Sequence, residues 1–113
     1  MEGATFGSTT ALNLALSTTG RDELRAAFLR AHPTSRPADV KGPLRGSVYY
    51  ARYRGREWAL ATFSLPAVGT TDQPERFRRP VGGRWKDLGD TGGPVSHAGF
   101  PCPVLRAWGF RCG

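Results

Sequence analysis

The sequence predicts an α+β fold, in which one helix packs on an antiparallel sheet of about four strands and a short helix lies near the C-terminus. Three observations support this prediction. One segment repeats apolar residues at helical spacing, two pairs of aromatic-containing segments flank short turns, and strands do not alternate with helices as they do in parallel sheets. The 113 residues, 39% of them hydrophobic, suffice for a single domain with its own core.

The first long element predicted is a helix from Gly20 to His32. Its apolar residues recur at positions i, i+3, i+4 and i+7, on one face of the helix: Leu24, Ala27, Phe28 and Ala31. Thr19 is expected to cap its start, and Pro33 ends it because proline lacks the backbone N–H that a helix requires. We interpret His32 as a residue stabilised by the dipole at the helix C-terminus, and not as a catalytic group.

A β-hairpin is predicted next, because residues 47–53 (SVYYARY) and 57–65 (EWALATFSL) have the composition of strands and flank Arg54-Gly55. A two-residue turn at this point places Arg52 opposite Glu57. We therefore interpret Glu57 as the partner in a cross-strand ion pair rather than as an acid–base group.

A second hairpin is predicted from residues 76–79 and 84–88, which flank the turn Pro80-Val81-Gly82-Gly83. Phe77 and Trp85 are its expected inward-facing residues. The segments between the hairpins and the helices are rich in Gly and Pro, which indicates loops.

The chain is expected to divide into a leader and one domain. Residues 1–19 are rich in Gly, Thr, Ser and Ala, and they form a leader that is either flexible or contains a short strand. Residues 20–113 are then the single α+β domain.

The charge is strongly positive, with 16 Lys and Arg against 9 Asp and Glu, a net charge of +7 and a pI near 10.4. This balance favours anionic partners without choosing among them. The basic residues concentrate around the two hairpins: Arg45, Arg52, Arg54 and Arg56 at the first, and Arg76, Arg78, Arg79, Arg84 and Lys86 at the second. The excess of Arg over Lys suits carboxylate or phosphate recognition, but a GC-rich genome is the preferred explanation.

Two cysteines, Cys102 and Cys112, lie close together near the C-terminus and predict a disulfide in an oxidising compartment. A reduced pair in a cytosolic protein is the alternative. The residues between them begin with Pro103 and include Gly109, which suit the start and the end of a short helix. Both cysteines, His32 and His97 have the ligand types of a metal site, but their spacing matches no familiar zinc pattern, so no metal or other cofactor is predicted.

Membrane insertion is not expected, because no apolar run approaches the roughly 18–20 residues of a membrane-spanning helix. The first residues also lack the basic start and apolar core of a signal peptide. For a secreted or cell-envelope protein we therefore expect that a signal peptide has been removed.

The segment Gly89-Asp90-Thr91-Gly92-Gly93-Pro94 resembles the GDSGGP signature of chymotrypsin-like serine proteases, in which serine is the nucleophile. Thr91 stands where that serine would be, and the protease fold needs a longer chain. We interpret the segment as a Gly-rich loop in which Asp90 makes turn hydrogen bonds. No catalytic residue is predicted from it.

The order of motifs in residues 47–112 is similar to that of small domains in secreted proteins and lipoproteins of actinobacteria. The shared features are an aromatic pair in a strand, Trp58-Ala59, Phe77, Gly82-Gly83-Arg84-Trp85, and a Cys-containing Pro-Val-Leu helix. The resemblance implies an extracellular or cell-envelope location and supplies no catalytic residues.

The function predicted from these features is a non-catalytic secreted or cell-envelope domain that binds a protein or an anionic envelope polymer. Arg and Tyr side chains are common in such binding surfaces. The predicted partner-binding residues are Arg52, Tyr53, Arg54, Arg56, Arg76, Arg78 and Arg79.

Two alternatives accompany this prediction. The first is a nucleic-acid-binding domain, in which Arg would neutralise phosphates and aromatic rings would stack on bases, although no recognised motif is present. The second is a small secreted basic hydrolase of the nuclease-toxin kind. Its candidate acid–base residues are Glu57, Glu75 and His97, which nothing in the spacing brings together.

Overall fold

The computed structural model of the protein describes residues 11–65 and 73–112. They form an antiparallel sheet with a long helix on one face and a short helix on the other, so the predicted α+β class is confirmed. No helix within these residues is long and apolar enough to cross a lipid bilayer.

The sheet has five strands in sequence order, where about four were expected. They are β1 (Leu12–Leu14), β2 (Tyr49–Tyr53), β3 (Arg56–Phe63), β4 (Gln73–Pro80) and β5 (Lys86–Asp90). The additional strand, β1, pairs with β2 at the edge of the sheet. It lies in residues 1–19, for which the sequence left open either a flexible leader or a short strand.

The first hairpin has the predicted register, with Arg52 opposite Glu57 and Ala51 opposite Trp58. Its turn is formed by Arg54 (φ 51°) and Gly55 (φ 74°). Positive φ at both central residues is typical of the type I′ turn, whose twist matches that of the flanking strands.

The second hairpin joins β4 and β5, and both Phe77 and Trp85 are buried as predicted. The strands differ from the predicted bounds. β4 begins at Gln73, because the long strand β3 offers it pairing partners as far as Phe63. β5 begins only at Lys86, since the turn that precedes it is longer than expected.

The long helix α1 spans Thr18–Ala31 and begins two residues before the predicted start. Its N-cap is Ser17 rather than Thr19, and the Ser17 hydroxyl accepts a hydrogen bond from the Gly20 N–H at 3.0 Å. Gly20 belongs inside the first turn because it packs against Leu16, where a Cβ would lie 2.6 Å from the Leu16 side chain.

The apolar stripe of α1 is buried except at its end. Leu24, Ala27 and Phe28 are covered by the sheet, whereas Ala31 in the last turn is exposed, contrary to the prediction. His32 is the C-cap, and its N–H donates to the carbonyls of Phe28 and Leu29.

Side chains that alternate along the strands form a separate core on each face of the sheet. The core beneath α1 includes Phe28, Tyr50, Phe63, Phe77 and Trp85. The core beneath the short helix α2 (Cys102–Ala107) includes Trp58, Leu60, Phe100, Val104 and Trp108.

The Cys102–Cys112 disulfide joins the first residue of α2 to the segment that follows the helix, and the two Cα atoms are 5.3 Å apart. This separation lies in the usual range for a disulfide, and the predicted pairing is confirmed. Pro103 is the second residue of the helix, and Gly109 follows its end with φ 84°.

Candidate functional site

The seven predicted partner-binding residues are divided between the two faces of the sheet. Tyr53, Arg56 and Arg78 lie on the α2 face, in register with Trp58 and its neighbours, and Arg54 lies in the adjoining turn. The other three side chains, those of Arg52, Arg76 and Arg79, are engaged in contacts within the domain. The structure thus brings four of the predicted residues together.

We call the set Tyr53, Arg54, Arg56, Arg78 and Lys86 the basic strip. Tyr53 is paired with Arg56, and Arg78 with Lys86, across neighbouring strands about 4.8 Å apart. The guanidinium of Arg54 lies 5.2 Å from the centre of the Tyr53 ring, and that of Arg78 lies 5.6 Å from Trp58. Such cation–π contacts orient the cations. Among residues 11–65 and 73–112, no carboxylate forms an ion pair with a basic side chain of the strip.

Arg76 links β4 to β5 and to the loop after β5 through hydrogen bonds. Its guanidinium donates hydrogen bonds to the carbonyls of Leu88, Gly89 (3.3 Å) and Ala98 (2.9 Å). These bonds use the donors that a partner would need.

The α1 face of the sheet holds two buried carboxylate sites, of which the first is the Glu57 centre: Glu57, Arg52, Arg79 and Tyr50. Arg52 donates two hydrogen bonds to one Glu57 oxygen, at 3.0 and 2.7 Å, and Arg79 donates one to the other oxygen at 2.7 Å. The predicted Arg52–Glu57 ion pair is therefore present. Arg79 also lies over the Trp85 ring, 4.5 Å from its centre.

Burial alone would raise the pKa of Glu57, which is 1% exposed. Hydrogen bonds from Arg52, Tyr50 and Arg79 outweigh this effect and hold the pKa below its usual value. In turn, burial beside Glu57 raises the pKa of Tyr50. The Glu57 centre thus contains an ionised carboxylate whose charge and hydrogen-bonding capacity are matched by its neighbours.

The second site, which we call the His32 cluster, consists of His32, Glu75 and Asp87. Strands β4 and β5 supply its two carboxylates, since Asp87 pairs with Phe77, two residues along β4 from Glu75 on the same face. A bulge follows at Leu88, because Arg76 pairs with Gly89. Here the Asp87 carboxylate lies beside that of Glu75, and both approach the imidazole at the end of α1.

The geometry of the His32 cluster is compact. His32 Nε2 lies 3.9 Å from Glu75 Oε2, and His32 Nδ1 lies 4.0 Å from Asp87 Oδ2. One nitrogen or oxygen atom from each residue lies within 4.8 Å of the other two. The side chain of Asp87 is 1% exposed and that of Glu75 is 6% exposed, whereas the imidazole is 36% exposed.

The two carboxylates of the cluster lack the cations that Glu57 has. Glu75 Oε2 and Asp87 Oδ2 are buried and accept no hydrogen bond within the described part of the chain. Burial, followed by the adjacent Asp87 carboxylate, raises the pKa of Glu75 to about 9. The raised pKa reflects the cost of burying two negative charges side by side without a cation.

His32 is held in a defined orientation. Its Nδ1 atom lies 2.8 Å from the Phe28 carbonyl oxygen, and its ring stacks on the Phe28 ring at 4.1 Å. A neutral imidazole that donates Nδ1–H to this carbonyl has its lone pair on Nε2, the atom nearest Glu75.

A cavity of about 360 Å³ opens beside the His32 cluster, between the end of α1 and the start of β5. Ala31, Arg30, Trp85 and Asp87 are among the residues that line it. His32 and Glu75 do not line this cavity, and the Asp87 side chain itself is buried.

The candidate acid–base residues Glu57, Glu75 and His97 are not brought together. Glu57 and Glu75 both lie on the α1 face but four positions apart along β3 and β4, about 13 Å at the usual rise per residue. His97 is exposed in the Val95–His97 3-10 helix, next to Ala98 of the opposite core. The histidine that does approach a carboxylate pair is His32.

The Gly89–Pro94 segment has a structural role at the end of β5. Gly89 (φ 91°) donates its N–H to the Asp87 side chain at 2.6 Å, and Thr91 donates its N–H to the Pro74 carbonyl at 3.2 Å. The side chain that accepts the turn hydrogen bond is thus Asp87, whereas Asp90, predicted for this role, is exposed. The bulge at Leu88 accounts for this difference, because it places the Gly89 N–H near the Asp87 side chain.

Sequence reasoning missed the His32 cluster because its members are distant in the sequence: His32 ends α1, and Glu75 and Asp87 lie on β4 and β5.

No protein-family model matches the chain, and comparisons with curated proteins and with solved structures also find no match.

Proposed function

We propose that the chain is a secreted or cell-envelope binding domain that takes an acidic segment of a protein partner on the basic strip. The main supporting observation is that four cationic side chains at one end of the α2 face have no carboxylate partner within residues 11–65 and 73–112. Two of these cations are already oriented by aromatic rings.

The chemistry of the strip favours carboxylates on a protein. Arg forks bind carboxylates with two parallel hydrogen bonds, and Arg, Tyr and Trp are the residues most enriched at protein-interface hot spots. The net charge of +7 would speed the encounter with an acidic surface.

The proposed location rests on the disulfide. The Cys102–Cys112 bond supports an oxidising compartment outside the cytoplasm, where nucleic acid is a less common partner. The resemblance to secreted actinobacterial domains supports the same proposal.

Fewer residues remain for a partner than the sequence predicted. Arg52 and Arg79 neutralise Glu57, and Arg76 holds backbone carbonyls, so these three act as internal supports. Tyr53, Arg54, Arg56, Arg78 and Lys86 are the residues that remain for a partner.

The test is binding of a poly-glutamate peptide to the oxidised protein, measured by fluorescence anisotropy. A triple variant, Arg54→Gln, Arg56→Gln and Arg78→Gln, should weaken binding by more than about tenfold, because each lost charge-assisted hydrogen bond contributes roughly 1.5–3 kcal/mol. The matched control is Arg45→Gln, Arg106→Gln and Arg111→Gln, which removes the same charge from exposed residues outside the strip. It should bind nearly as the wild type does.

Two results would contradict the proposal. Equal loss in both triple variants would mean that net charge alone drives binding. Tighter binding of a DNA or RNA oligomer than of the peptide, with the steep salt dependence of phosphate contacts, would favour the nucleic-acid alternative.

A further inference from the structure

We infer that the His32 cluster is a binding site for one divalent transition-metal ion, with zinc as the best match. The site uses the imidazole of His32 and the carboxylates of Glu75 and Asp87. It lies on the α1 face, so it is independent of the basic strip and of the partner proposed above.

The ligand set is that of a zinc site with three protein ligands. Zinc binds His nitrogen and Asp or Glu oxygen, and three such ligands plus one water complete a tetrahedron. Calcium takes six to eight oxygen ligands, and magnesium requires a near-ideal octahedron of oxygens. One nitrogen and two carboxylates suit neither of these ions, whereas imidazole suits zinc, copper and nickel.

The distances allow zinc to bind with small side-chain movements. Metal–ligand bonds of about 2.0–2.2 Å in a tetrahedron place the ligand atoms about 3.3–3.6 Å from one another. The ligand atoms of the cluster lie within 4.8 Å of one another, and His32 Nε2 is 3.9 Å from Glu75 Oε2. Contraction around an ion therefore requires shifts of about 1 Å or less.

An independent observation is that two buried oxygen atoms point into the site without a donor. Glu75 Oε2 and Asp87 Oδ2 accept no hydrogen bond within the described residues, and the Asp87 side chain is 1% exposed. Buried polar atoms nearly always have partners, and one without a partner calls for an explanation. Arg76, whose charge acts on Glu75, does not provide a donor, because its guanidinium donates to the carbonyls of Leu88, Gly89 and Ala98.

The orientation of His32 resembles that of a metal ligand. Metal-bound histidines almost always donate their other ring N–H to a carbonyl or carboxylate, which fixes the tautomer and raises the basicity of the ligand nitrogen. The Phe28 carbonyl lies 2.8 Å from Nδ1, and stacking on the Phe28 ring holds the imidazole plane. Nε2 is then available to the ion.

Access and a fourth ligand are both provided. The imidazole is 36% exposed, so an ion can enter past it, and a water molecule can occupy the remaining position.

The test is titration of the chelator-treated, disulfide-intact protein with zinc chloride, followed by isothermal calorimetry. The disulfide removes Cys102 and Cys112 as thiolate ligands. The wild type should bind one zinc ion, and Glu75→Gln should weaken binding by more than the roughly 10–100-fold that loss of an outer-shell partner costs. Glu75→Gln is expected to fold, because its amide can donate to Asp87.

A second pair of variants separates this site from adventitious histidine binding. His32→Phe keeps a ring stacked on Phe28 but removes the nitrogen ligand, and it should also lose zinc. His97→Gln removes the other histidine, which is exposed, and should bind zinc as the wild type does. Cobalt substitution should give the visible absorption of a tetrahedral site in the wild type and in His97→Gln alone.

Three results would overturn the inference: no zinc binding by the wild type, zinc binding retained in His32→Phe and Glu75→Gln, or loss of binding in His97→Gln. Magnesium or calcium binding as tight as zinc would also contradict it, because a site with a nitrogen ligand should not favour these ions.

Discussion

The two buried carboxylate sites on the α1 face differ in what surrounds them. Glu57 receives hydrogen bonds from two guanidinium groups and has a lowered pKa. Glu75 lies on the same face against a second carboxylate, with a raised pKa and no guanidinium hydrogen-bonded to it within the described residues. Both carboxylates are buried, so the sites differ in the charges that face them: guanidinium groups at Glu57 and a second carboxylate at Glu75.

Cross-strand register determines which charged side chains face each buried carboxylate. Glu57 pairs with Arg52 on one side and Arg79 on the other, so the two neighbouring strands supply its cations. Glu75 faces Asp90 in register, and its diagonal neighbour on β5 is Asp87, so that strand supplies it with carboxylates and not with a basic residue. The first site is complete as an ion pair, and the second has room for a cation.

The largest expected effect is loss of the Glu57 charge. Glu57→Gln should lower the free energy of unfolding by about 3 kcal/mol, because it leaves the largely covered guanidinium of Arg79 without its buried carboxylate partner. Urea denaturation at neutral pH measures this loss. A change below about 1 kcal/mol would mean that the Glu57 centre contributes no more than a surface ion pair does.

The disulfide lies on the opposite face from both carboxylate sites. Its reduction should cost roughly 2–3 kcal/mol of stability, the value expected for a loop of this length. Because neither site includes a cysteine, zinc binding by the Cys102→Ser, Cys112→Ser double variant, which cannot form the disulfide, should match that of the oxidised wild type. Loss of zinc binding in this variant would link the cysteines to the site and contradict the separation of the two faces.

The third prediction concerns pH. The folded-state pKa of Glu75, about 9, lies above the ordinary value of 4.5, so the folded state binds the proton more tightly than the unfolded state does. Stability in a chelating buffer should therefore fall as the pH rises between these values, because the unfolded state releases the proton at a lower pH than the folded state does.

Glu75→Gln should remove this component of the slope. The difference in unfolding free energy between wild type and variant, measured across that pH range, isolates the contribution of the pair. Parallel stability curves for the two proteins would show that Glu75 does not hold its proton in the folded state.

The smallest effect is expected at Glu23, the exposed second partner of Arg79. Its contact with Arg79 is 3.4 Å long, and its side chain is 51% exposed. Glu23→Gln should change the free energy of unfolding by less than about 1 kcal/mol, since exposed ion pairs contribute little. It is thus the matched control for Glu57→Gln, and an equal loss in both variants would remove the distinction between buried and exposed partners.

Local patterns predicted much of the fold. The Arg54-Gly55 turn determined the register that pairs Arg52 with Glu57, and the cysteine spacing predicted the disulfide. Phe77 and Trp85 were predicted to face inward from strand alternation alone. These features depend on residues near one another in the sequence.

The features that the sequence left open or did not predict depend on distant contacts. β1, for which a flexible leader was the alternative, is defined by its pairing with β2, and the His32 cluster joins the end of α1 to β4 and β5. The basic residues around the hairpins looked like one surface, but strand alternation separates Arg52 and Arg79 from Arg56 and Arg78. No metal was predicted, because His32 has no ligand near it in the sequence.

The most direct test of the contrast between the two sites is the anomalous scattering of a crystal of the oxidised protein grown with zinc. We expect one strong peak about 2.0–2.2 Å from His32 Nε2 and from one oxygen each of Glu75 and Asp87, and no peak beside Glu57. An empty His32 cluster, with zinc absent or bound elsewhere, would contradict it.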